Sequence, residues 1–132
     1  MFGRNAKPEI TPEYKTAEKV LEQTEALCNC VLKYVDGNTD TEKLMISEVS
    51  EKLRNAASLK ESLRDGRLDA QMVGTIGFSL TFNQLLEIVT KLDVSNDAEQ
   101  EFVDIAKEQL ALALRAGYAP AAELNRQGKL PL

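Results

Sequence analysis

Along this chain, signals that start a helix alternate with signals that stop one, and that punctuation constrains the fold more than any other feature. Thr11-Pro12-Glu13 comes first: Thr11 suits an N-cap, Pro12 the first helical position, and Glu13 the positive end of the helix dipole. The helix it opens is predicted over 12–35, stopping at Asp36-Gly37 with Gly37 in the left-handed C′ position. Thr39 and Glu42 have capping-box spacing for a second helix, 40–64, which ends at Asp65-Gly66. Asp69 caps a third, 70–92, and Leu68 is placed to staple onto Val73. Asn96 and Glu99 repeat the capping box for a fourth, 97–116, before Gly117. Pro120 and Gly128 bracket a short fifth helix, 120–127.

The interior patterns agree with these boundaries. Helix 1 places Ala17, Val20, Leu21, Leu27, Cys28, Val31, Tyr34 and Val35 on one stripe, with Thr24 as its polar interruption. Met45, Ile46, Val49, Leu53, Ala56, Leu59 and Leu63 do the same in helix 2, and Ala98, Phe102, Ile105, Ala106, Leu110, Ala113 and Leu114 in helix 4. At 1.5 Å per residue the long helices come to roughly 30–37 Å, and short connections force neighbours to run antiparallel. The expectation is an all-α antiparallel four-helix bundle with a short C-terminal helix. Residues 1–10 form a flexible arm, and 11–132 a single domain. With 5% aromatic residues and no Trp, the core must be built from Leu, Val, Ile, Ala and Met.

Residues 72–82 carry two periodicities. Ile76, Phe78, Leu80 and Phe82 alternate with Gly77, Ser79 and Thr81, as in a half-buried strand. No second segment offers a strand partner, however, and an unpaired strand leaves its backbone groups unsatisfied. As a helix the segment aligns Gly74, Gly77 and Thr81 in a small-residue groove and is apolar around most of its remaining circumference. Each interior glycine costs about 0.8–1 kcal/mol relative to Ala, which close helix–helix approach must offset. Helix 3 therefore has more apolar surface than a monomeric bundle needs, and a subunit interface is expected at Met72, Val73, Ile76, Phe78, Phe82 and Leu85. The tail residues Leu124, Leu130 and Leu132 are expected to join that interface or fold back on the bundle.

Catalytic chemistry finds little to work with. There is no His to act as a base, and no phosphate loop or nucleophile elbow. Cys28 and Cys30 sit two residues apart in a helix, too divergent for a disulfide, and are read as reduced thiols, with Cys30 on the outer side of helix 1. Glu18, Glu22 and Glu25, Glu48 and Glu51, and Glu101 and Asp104 have the spacing of carboxylates sharing a helix face, as all-helical metal-dependent nucleotide hydrolases require. They flank the apolar stripes, as ordinary solvated charges do. No cofactor or metal is called for.

The net charge of -5 argues against a general binder of DNA or anionic membranes, and neither a leader nor a membrane span is expected, so a cytoplasmic location is the default. Bases gather at the end of helix 2 (Lys52, Arg54, Lys60, Arg64 and Arg67) and acids from Asp93 to Asp104, each suited to its local helix dipole. The leading expectation is a non-enzymatic adaptor or regulatory protein acting through protein–protein contact as a homodimer. Two alternatives stand beside it: a small metal-dependent nucleotide-binding or hydrolysing protein, and a nucleic-acid-binding dimer using the basic end of helix 2.

Overall fold

A computed structural model describes residues 9–90 and 96–128. Five helices follow in order: α1 Pro12–Tyr34, α2 Asp40–Arg64, α3 Ala70–Thr90, α4 Asn96–Arg115 and α5 Ala119–Gln127. Their ends are held by the groups the sequence nominates. Thr11 Oγ1 accepts from the Tyr14 N–H at 3.1 Å, Thr39 Oγ1 from Glu42 N–H at 3.1 Å, and Asp69 Oδ1 from Met72 N–H at 2.9 Å. Glu42 reaches back to the N–H of Asn38, one residue before the cap.

Two C-termini close in full Schellman motifs. At the first, Arg67 N–H reaches Ser62 O and Gly66 N–H reaches Leu63 O. At the second, Tyr118 N–H reaches Ala113 O and Gly117 N–H reaches Leu114 O. Gly66 and Gly117 supply the positive φ each motif needs. The end of α1 differs from expectation. The β-branched Val35 is its C-cap, in extended backbone with its side chain buried, so Gly37 takes its positive φ (+76°) inside the connection and not at C′. α4 begins on Asn96 itself, and Leu92, the expected end of helix 3, lies outside the described residues.

Residues 72–82 are helical within α3, and the bundle is organised around that result. α1 and α3 are the central pair. α1 packs against α2, α3 and α4, and α3 against α1, α2, α4 and α5. α2 and α4 lie on opposite flanks and share no contact among the described residues. Cross-helix contacts give the directions. Lys60 pairs with Glu25, and Tyr34 with Glu101, so α1 runs antiparallel to both α2 and α4. Thr24 meets Thr81, and Leu21 meets the space beside Gly77, so α1 and α3 are parallel.

The two α3 glycines make this close packing feasible. A Cβ on Gly77 would come within 2.6 Å of Leu21 Cδ2, and one on Gly74 would collide with the ring and hydroxyl of Tyr118. Tyr118 arrives there because the second Schellman motif folds it, as the residue after Gly117, back onto the bundle. Phe78 and Phe82 stack with ring centroids 4.8 Å apart, and with Phe102, Val31 and Leu85 they fill the main core. A smaller cluster of Tyr14, Ala17, Leu21, Leu63 and Val73 closes the opposite end, with Leu68 packed on it as a staple residue should be.

Candidate functional site

With its glycine groove and phenylalanines turned inward, α3 leaves one arc outside. Met72, Thr75, Ile76, Ser79, Leu80 and Asn83 occupy successive turns of that arc, with Met72 46% and Leu80 43% exposed and Ile76 partly so. Met72, Ile76 and Leu80 are spaced i, i+4, i+8 and form an apolar line. The hydroxyls beside it are already bonded within the helix: Thr75 Oγ1 donates to Gln71 O and Ser79 Oγ to Thr75 O, both at 2.8 Å. Covering this arc therefore strands no hydroxyl donor.

The arc is also uncharged. From Ala70 to Leu86 there is no Asp, Glu, Lys or Arg. The exposed positions of every other helix include charges: Lys15, Lys19 and Glu22 on α1, Glu48, Glu51 and Arg54 on α2, Asp104, Lys107 and Glu108 on α4, and Glu123 and Arg126 on α5.

The expected interface residues divide sharply. Val73, Phe78, Phe82 and Leu85 are buried in the chain's own core and offer no outer surface. Met72 and Ile76 lie on the outer arc. Leu124 packs partly against the main core from α5, while Leu130 and Leu132 lie outside the described residues. Leu80, which alternation with Gly77, Ser79 and Thr81 had marked as apolar, completes the outer line.

The basic residues are dispersed by the turn of the helix. Lys60 pairs with Glu25 at 2.9 Å across to α1, and Arg67 with Asp65 at 3.1 Å. Lys52 lines a groove of about 320 Å³ with Glu48, Gln84, Glu87 and Ile88 between α2 and α3. Arg54 and Arg64 are exposed on other sides of α2. Of the acids, Glu101 accepts a 2.7 Å hydrogen bond from Tyr34 Oη, which raises the tyrosine pKa, and lies 3.7 Å from Lys33. Asp104 accepts from Gln100, and Glu18, Glu22 and Glu51 join no metal-like cluster. Among the described residues, no three Cys, Asp or Glu side chains come together as a metal would need.

The placement of Cys30 is corrected: only 5% exposed, it is buried in the main core. An outer position suits a helix with one partner face, but α1 has neighbours on three sides. Cys28 and Cys30 are both free thiols. Burial drives Cys28 up to about 12 and also raises Cys30, so both are held as unreactive thiols near neutral pH.

Two residues carry structural weight that the pattern of charges and stripes did not reveal. Tyr118 fills the notch at Gly74. Gln109, fully buried in α4, donates from Nε2 to Val20 O at 3.0 Å and to Thr24 Oγ1 at 2.6 Å, while its Oε1 has no partner among the described residues. Thr24 and Thr81 lie 3.2 Å apart, and each hydroxyl can also reach a carbonyl one turn back. The polar interruption of the α1 stripe is thus one member of a buried polar layer joining α1, α3 and α4. A Gln one turn from Ala106 and Ala113 was the available signal for it.

No family model matches the chain, and no curated protein or solved structure is similar to it.

Proposed function

We propose that this protein is a non-enzymatic adaptor or regulator that works through protein–protein contact on the outer arc of α3. One observation carries the reading: among the described residues this arc is an exposed helix face free of charge from Met72 to Asn83, with Met72, Ile76 and Leu80 in line on it. Exposed apolar side chains scattered singly need no explanation, and Ile10 and Leu44 are of that kind. Three in register, flanked by hydroxyls bonded within their own helix, form a strip that loses little when water leaves it. Burial holds both thiols protonated near neutral pH.

A photo-crosslinking amino acid in place of Ser79, at the centre of the arc, tests the reading in cell extract. Protein adducts at Ser79 that are absent when the same group replaces Ala57, on the exposed side of α2, are the expected result. Equal labelling at both positions would remove the basis for the proposal.

A further inference from the structure

We draw no further inference here: the strongest candidate, the neutral outer arc of α3 along Met72, Ile76 and Leu80, is already the contact face proposed above, and nothing in the structure shows what covers it.

Discussion

Gly74 and Tyr118 are forty-four positions apart in the chain and share one volume, because a Cβ at Gly74 would run into the tyrosine ring. Gly74→Ala improves helix propensity by about 0.8–1 kcal/mol yet should destabilise the fold by a net ~1–3 kcal/mol through overpacking, read by urea denaturation. Combining it with Tyr118→Leu should recover part of the loss, giving a coupling that an independent pair lacks. At Gln109 the sign reverses. Gln109→Leu removes a buried acceptor without a partner and should be neutral or stabilising by up to ~1–2 kcal/mol, whereas Thr24→Val strands the Gln109 amide donor and should cost about 1–3 kcal/mol. Burial of Cys28 makes stability depend on alkaline pH. The unfolded thiol ionises near the ordinary value of 9.0, while the folded one holds its proton to about 12. Stability is therefore fully present below pH 9 and falls by about 1.4 kcal/mol per pH unit between these values. Thermal melts of Cys28→Ala across pH 8 to 11, compared with the parent chain, should show a flatter decline. These residue effects were partly legible beforehand: the interior glycines of helix 3 demanded a close approach. That Tyr118 fills one notch was hidden, since contact between distant segments leaves no local pattern.

The helices themselves were legible because their signals are local. Caps at Thr11, Thr39 and Asp69 and the stops at Gly66 and Gly117 act within one turn, and the side-chain bonds now seen at those caps involve the residues that spacing nominates. What local signals miss is how many neighbours an element has. α1 reads as an amphipathic surface helix, yet α2, α3 and α4 all pack on it, and so Cys30 is buried. α3 reads as the most buried segment, yet it keeps an outer arc. A helix apolar nearly all round has little amphipathic preference, so the side turned inward is chosen by shape, the Gly74–Gly77 groove, and not by hydropathy. Native-state hydrogen exchange should reflect this order. The central amides of α1, from Val20 to Cys28, should exchange only with global unfolding, while α5, which touches α3 and α4 alone among the described residues, should exchange through cheaper local opening. Equal protection in α1 and α5 would contradict the central placement of α1.

At the scale of the whole molecule, the described surface carries charges on every helix, with a neutral arc on α3 from Met72 to Asn83. A charge-free Ala70–Leu86 was visible in the sequence, but whether it served the core or a partner was not, because both uses call for the same residues. The fold answers part of that question: Val73, Phe78, Phe82 and Leu85 serve the core, and Met72, Ile76 and Leu80 are left on its outer side. No helix of the described residues is long and apolar enough to cross a membrane. Photo-crosslinking from position 79 in cell extract, beside the same chain carrying Met72→Lys/Leu80→Lys so that charges stand on the arc, tests the central claim most directly. The account predicts protein adducts that the double substitution reduces at least about tenfold. Adducts that persist undiminished in the substituted chain, or no adducts in the parent, would contradict it.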